Sequence, residues 1–284
     1  MRLQALGEAI AAAEYGGKAA RLSEALAAGL PVPPGFVLSP GHVQHFASEP
    51  VSVTERALLE ARLHEVGLPV AVRSSAIGED GSAASFAGQH VSVLNLLDLD
   101  ATLTAIESVW SSGQSASARA YRQRMRIAGE PQLAAIVQAL VPSDVAGVLF
   151  TVDPISGSDE RFVVEATWGF GEAVVAGLVT PDHYVITRRG TVIERLTGQK
   201  DVAIRAISGG GTCEADVDAV QQTTACLDDE ALSRLVALGL ECERLFGPRQ
   251  DIEWALAKGK LYLLQCRPVT TASLHRCPPP DLSD

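Results

Sequence analysis

DIEWALAKGKLYLLQCRPVTT, residues 251–271, holds two apolar runs on either side of a Lys-Gly-Lys turn, the pattern of a β-hairpin. In the first run Asp251 and Glu253 alternate with Ile252, Trp254 and Leu256; in the return run Gln265 and Arg267 are likewise two apart. A three-residue turn at Lys258, Gly259 and Lys260 sets Glu253 opposite Gln265 and Asp251 opposite Arg267. A two-residue turn offsets those pairs, because a slip of one residue sends side chains to the other face. One face of the hairpin then carries two carboxylates, an amide oxygen and a guanidinium. Carboxylate and amide oxygens are hard ligands suited to Mg²⁺, which is usually shared with phosphate oxygens, and a fixed arginine suits phosphate. Equally open at this point is a solvated hairpin face with a cross-strand ion pair.

The 284 residues suffice for one large or two medium domains, and 47% hydrophobic content is ample for a core. A net charge of −11, with no basic stretch interleaved with aromatics, argues against a general nucleic-acid-binding surface. The five cysteines, Cys213, Cys226, Cys242, Cys266 and Cys277, form no C-x-x-C pair, so zinc and redox motifs are not expected and a reduced, cytoplasmic setting is. The start, MRLQALGEAIAAAEYGGK, reads as helical, with Glu8 interrupting the apolar run, so no signal peptide is expected. No apolar run reaches 18 residues, and no membrane span is expected.

Along the chain, residues 18–28 read as a short helix preceded by Gly16-Gly17 and ended by Gly29. PVPPGFVLS is a proline-rich turn into a strand. Residues 54–66 read as helix, 70–75 and 91–96 as strands, and 101–127 as largely helical with Arg119, Arg122, Arg124 and Arg126. Residues 133–141 and 147–152 are apolar runs typical of buried strands. Residues 161–177 read as a strand, a Gly-rich turn and a helix or second strand, and 229–247 as an amphipathic helix capped by Asp228 or Asp229 and ended by Gly247. Strands and helices mix without strict alternation, which predicts an α+β (mixed α/β) chain of two lobes with a seam near 128–134. The lobes run about 1–130 and 131–275, and the proline-rich tail 276–284 is read as disordered.

Further constellations are weak singly. Gly16-Gly17-Lys18 opens a helix, where backbone N–H groups and a lysine favour an anion; the Walker spacing is absent, and a solvated lysine is the commoner meaning of G-G-K alone. Arg73 follows apolar Val72 and needs a partner, either a structural carboxylate or a ligand phosphate. In SFAGQH, Ser85 and Gly88 permit close approach of backbone N–H groups to a phosphate, or form an ordinary loop. Glu172 in TWGFGEAV is functional or a surface acid. The histidines show no metal-ligand spacing, and there is no G-x-S-x-G elbow.

Taken together, GGKAARLSEALAAGLPVPPGF, VAVRSSAIGEDGSAASFAGQHVSVLN, IVQALVPSDVAGVLFTVDPISG, VVEATWGFGEAVVAGLVTPDHY and the hairpin stretch occur in one order from about residue 14 to 271. In that order they resemble the nucleotide-binding domain of the phosphoenolpyruvate synthase and pyruvate phosphate dikinase family, which includes rifampin phosphotransferase. The resemblance implies a two-lobed ATP-grasp fold with ATP in the cleft between lobes. It implies that Lys18 and Arg73 contact phosphates, that the 85–90 loop with Ser85 and Gly88 covers them, and that Gln138, Ala139 and Leu140 hold adenine largely by backbone. It further implies that Glu253 and Gln265 ligate Mg²⁺, that Asp251 supports that site or binds metal, that Arg267 stabilises the transferring phosphoryl group, and that Arg122 reaches the phosphates. Lys18, Arg73 and Arg267 are thereby the expected catalytic cations.

The family also carries a swivelling domain with a phosphorylated histidine in a T-x-G-G-x-x-[SC]-H context, and a domain for the acceptor. That histidine motif does not occur in these 284 residues. The expectation is therefore an Mg-ATP-dependent phosphotransferase module that passes the β-phosphoryl group to a histidine on a separate domain or partner chain and releases AMP. The alternatives are a non-catalytic ATP sensor and an ATP-grasp ligase that forms ADP.

Overall fold

The computed structural model describes residues 3–8, 10–77, 91–116, 118–119 and 132–269. Two compact units emerge. The first runs to Pro142 and includes Arg205–Cys213; the second comprises Ser143–Ile204 and the chain from Glu214 onward. The mixed α+β class is as the sequence predicts, with antiparallel sheets in both units.

The first unit is built on a five-stranded sheet in the order β1 (Gln4–Ala5), β2 (Gly35–Leu38), β5 (Leu133–Ala139), β3 (Val70–Ala76), β4 (Ser92–Leu96). One face is buried beneath helices α2 (Pro40–Ser48), α3 (Val53–Val66) and α4 (Leu99–Gly113). Phe36, Leu38, Val70, Val72, Ala135 and Val137 from the strands meet Val43, Phe46, Leu59, Leu63, Ile106 and Val109 there. Full burial of each large aliphatic side chain contributes roughly 1.5–3 kcal/mol, so this layer fixes the sheet. Helix α3 begins with a reciprocal cap: Ser52 Oγ accepts the Glu55 N–H, and Glu55 accepts the Ser52 N–H at 2.9 Å. Those bonds from the Ser52 side chain and backbone hold the Glu55 carboxyl down to about 2. Helix α1 (Ala12–Ala27) lies against the other face of the sheet, through Ser75.

The second unit is a six-stranded antiparallel sheet in the order β13 (Lys260–Pro268), β12 (Gln250–Ala257), β6 (Val145–Phe150), β7 (Arg161–Trp168), β8 (Asp182–Thr187), β9 (Val192–Leu196). Strands β10 (Val202–Ala206) and β11 (Thr212–Asp216) pair with each other and are divided between the two units, Arg205–Cys213 belonging to the first, while short helices α5 (Glu172–Val175) and α6 (Ala219–Gln222) fill connections of the second. Helix α7 (Asp229–Phe246) is capped by Asp228, whose side chain accepts the Ala231 N–H, and ends at Gly247 with φ 87°. It buries Leu232, Leu235, Val236 and Cys242 against the sheet. At Gly239 a Cβ would stand 3.2 Å from both Leu149 and Phe162, so Leu149, Phe162 and their rung partners Ile252 and Tyr184 mark the covered face. Among the described residues no helix is long and apolar enough to cross a membrane.

Several expectations are corrected. The N-terminal segment is not helical throughout: Gln4–Ala5 pairs with β2 and the helix begins at Ala12. Helix α1 extends N-terminal of the expected 18–28, although Gly16 (φ 80°, ψ 160°) breaks it, so its regular part still starts beside Lys18. The unit boundary follows Pro142 rather than falling at 128–134, because the apolar strand β5 pairs with both β2 and β3 and is the centre of the first sheet. The 161–177 stretch resolves as strand β7 followed by helix α5. Strands β8 to β11 were not expected; exposed β9 and β11 lack the apolar alternation that marks a strand. The tail 276–284 lies outside the described residues.

Candidate functional site

The hairpin pairs as the sequence predicts, but by another route. Glu253 stands opposite Gln265 and Asp251 opposite Arg267. The turn, however, has two residues, with Ala257 opposite Lys260. Lys258 (φ 49°) and Gly259 (φ 73°) both have positive φ, the primed turn whose twist matches the strands. The offset this creates is reversed by a bulge beyond Glu253: Trp254 pairs with Leu263, leaving Leu264 as the extra residue. Two shifts of one residue cancel, and all four polar side chains return to one face.

That face is opposite the one α7 covers, since Ile252 and Trp254, fully buried, alternate with Asp251 and Glu253. Asp251 is only 5% and Gln265 only 6% exposed. Arg267 Nε donates to Asp251 Oδ2 at 2.9 Å, which fixes the guanidinium. One carboxylate oxygen of Asp251 is therefore used to orient the arginine. Glu253 and Gln265 place two oxygen ligands side by side on adjacent strands, a donor set that fits Mg²⁺ completed by phosphate oxygens and water. Among the described residues no group of three or more His, Cys, Asp and Glu side chains is placed to hold a metal by itself.

The sheet extends this face further than the hairpin alone. Glu253 pairs with Val148, Val148 with Glu165, and Glu165 with His183, so the rung carries Gln265, Glu253, Glu165 and His183 on one side. His183 Nδ1 lies 4.0 Å from Glu165 Oε1. Sequence reasoning passed over Glu165 and His183; the available signal was a lone acid inside the apolar run RFVVEATW. Glu172 begins the short helix α5.

In the first unit, alternation along β3 sends Val70 and Val72 into the core and Arg73 and Ser75 to the face that receives α1. Ser75 is fully buried, and its hydroxyl accepts the Ala19 N–H at 3.2 Å. A Cβ on Gly16 would stand 2.4 Å from Ser75 Oγ and 2.7 Å from the Ala76 carbonyl, so only glycine permits the approach. The G-G-K and V-R-S-S segments thus meet on one sheet face, with Lys18 buried in the first turn. The neighbouring Ser74 turns the other way; its hydroxyl accepts the Val91 N–H at 3.1 Å.

In the strand expected to hold adenine, Gln138 is buried and its side-chain amide donates to Pro33 O at 2.9 Å. The Ala139 and Leu140 N–H groups donate to Pro34 O and Pro69 O, each at 2.9 Å. Those three donors are therefore committed to the chain itself. Ser85, Gly88 and Arg122 lie outside the described residues.

In the first unit the segments bearing Lys18 and Arg73 meet on one sheet face, and in the second two oxygen-bearing side chains stand paired beside an arginine held by Asp251. Residues 50–276 match the family model "Pyruvate phosphate dikinase, AMP/ATP-binding domain", and the chain belongs to that family. It is similar to a probable phosphoenolpyruvate synthase of Methanocaldococcus jannaschii, with 34% identity over 90% of this chain and 25% of that protein. It is also similar to a rifampicin phosphotransferase of Streptomyces sviceus, with 42% identity over 71% of this chain and 23% of that protein. The chain thus spans about a quarter of the length of these relatives. A D-alanine–D-alanine ligase of Bacillus anthracis superposes with a TM-score of 0.42 and 10% identity over 89% of this chain and 55% of that one, a likeness too loose to carry an argument.

Proposed function

We propose that this chain is an ATP-grasp module that binds Mg-ATP and passes its β-phosphoryl group to a histidine supplied by a swivelling domain or a partner chain, releasing AMP. The observation that carries the reading is the hairpin face, where Glu253 and Gln265 are paired beside an Arg267 already oriented by Asp251. Lys18 adds support. A cation in the first turn of a helix opposes the helix dipole, an arrangement that a bound anion relieves.

Attack by a histidine nitrogen on the β-phosphorus breaks the bridge to the α-phosphate and frees AMP. The γ-phosphate travels with the β-phosphoryl group and is transferred in a later step to water, leaving inorganic phosphate and a phosphohistidine. Little covalent chemistry falls to this chain, whose contribution is positioning and charge neutralisation. Lys18 and Arg73 hold phosphate oxygens, and Arg267, kept in place by Asp251, spreads charge at the transferring group. Mg²⁺ held by Glu253 and Gln265 would neutralise charge on the β- and γ-oxygens.

The acceptor histidine comes from outside these residues, because none of the six histidines stands in the glycine-rich context that the family's phosphorylated histidine requires. Calorimetric titration of the chain with ATP, with Mg²⁺ and with EDTA, tests the nucleotide reading. Binding at least about tenfold tighter with Mg²⁺ is expected, since the paired oxygen ligands act through the metal. Equal affinity in both conditions contradicts it.

A further inference from the structure

We propose that Ser75 is a positioning residue: it caps the Lys18 helix from a distance and so sets that cation on the face that carries Arg73. The inference rests on Lys18 being a phosphate contact. The first turn of a helix leaves four backbone N–H groups without helical partners, and a side chain at the preceding N-cap position normally accepts one of them. Here the regular helix follows Gly16, which occupies the cap position and has no side chain. Counting from Gly16, Ala19 is the third helical residue, the one whose N–H an N-cap serine would take. That N–H donates instead to Ser75 Oγ, 56 residues away in sequence.

The substitution of one cap for the other has a geometric cause and a consequence. A side chain on Gly16 is excluded by the 2.4 Å approach to Ser75 Oγ, so the local cap and the distant cap cannot coexist. A helix capped by its own preceding residue is free to settle where its packing directs. A helix capped by β3 has its first turn, and therefore Lys18, referred to the strand that bears Arg73 two residues away on the same face. Ser74 supplies a built-in contrast: its hydroxyl is equally buried and also accepts a backbone N–H, but from Val91.

The test is a double-mutant cycle read by Mg-ATP affinity for wild type, Ser75→Ala, Lys18→Ala and the double variant, with thermal unfolding recorded for each. Ser75→Ala is expected to weaken Mg-ATP about tenfold in the wild-type background, the order of one lost cap bond, and less than about twofold once Lys18 is alanine. Ser74→Ala is expected to have the same effect in both backgrounds. Equal loss from Ser75→Ala with and without Lys18, or no loss at all, overturns the proposal, because a merely structural serine does not act through one cation. Should Ser75→Ala fail to fold, Ser75→Cys, of similar shape with a weaker acceptor, runs the same cycle and is expected to give an intermediate loss. If the wild-type chain does not bind ATP, the functional reading has failed. Amide hydrogen exchange at Ala19 then still reads the cap alone, with faster exchange expected in the variant and unchanged exchange contradicting it.

Discussion

Glu253→Ala is expected to lower AMP formation from Mg-ATP by on the order of 10²–10³-fold or more when a histidine domain is present, while thermal stability stays near wild type. The two halves of that result have separate causes. Glu253 lies on the sheet face opposite α7, so its removal leaves the packing of Ile252 and Trp254 intact. Under the proposed reading it is the charged member of a two-oxygen ligand pair whose other member, Gln265, is neutral. A single neutral oxygen holds Mg²⁺ poorly, because hard cations select charged oxygen ligands in number. Raising Mg²⁺ should therefore restore part of the rate, with the half-saturating concentration displaced upward. Turnover retained at wild-type level with unchanged Mg²⁺ dependence would remove Glu253 from the metal site and, with it, the assignment of Gln265.

The second large effect concerns stability and lies on the covered side of the same sheet. Lys200→Met should destabilise the chain by about 3–5 kcal/mol, visible as a lowered urea midpoint without a change in slope. Asp182 and Lys200 are both fully buried, and Lys200 Nζ donates to Asp182 Oδ1 at 2.5 Å and to Gly198 O at 3.0 Å. Asp182 also accepts the N–H groups of Gly198 at 2.9 Å and Cys226 at 2.6 Å, and the Tyr184 hydroxyl at 3.3 Å. Burial, with the Asp182 charge beside it, pushes the ionisation of Tyr184 and of Cys226 upward, so both remain neutral donors. Removing the lysine leaves a buried carboxylate with hydrogen bonds but no countercharge. The cost is that of an uncompensated charge rather than of one lost contact. The double variant Asp182→Asn with Lys200→Met should recover part of the loss, since no charge is then stranded. A single variant within about 1 kcal/mol of wild type would show that the remaining donors suffice.

The hairpin shows how much of the site was legible in the sequence. Period-two alternation gave the face and the pairing of Glu253 with Gln265 and Asp251 with Arg267. The turn behind that pairing was misread, since a three-residue turn and a two-residue turn with a bulge produce the same register at Glu253. Alternation does not reveal a bulge among apolar residues such as Leu263 and Leu264. The G-G-K and V-R-S-S segments were each legible as candidate anion contacts. Their meeting through Ser75 was not, because a hydroxyl acting across 56 residues leaves no periodic trace. Glu165 and His183 join the Glu253 rung only through the strand order β12, β6, β7, β8, which is a property of the topology. The seam was misplaced for a similar reason. The weakly polar segment near residue 130 resembles a linker in composition, whereas strand β5 after it completes the first sheet.

The central claim is tested most directly by identifying the nucleotide products of the purified chain with Mg-ATP, alone and with an added histidine domain from a relative. AMP appearing only when that domain is present is the predicted result, with the label of β-³²P-ATP carried on the domain's histidine. ADP as the product, or AMP released at the same rate by the chain alone, contradicts it.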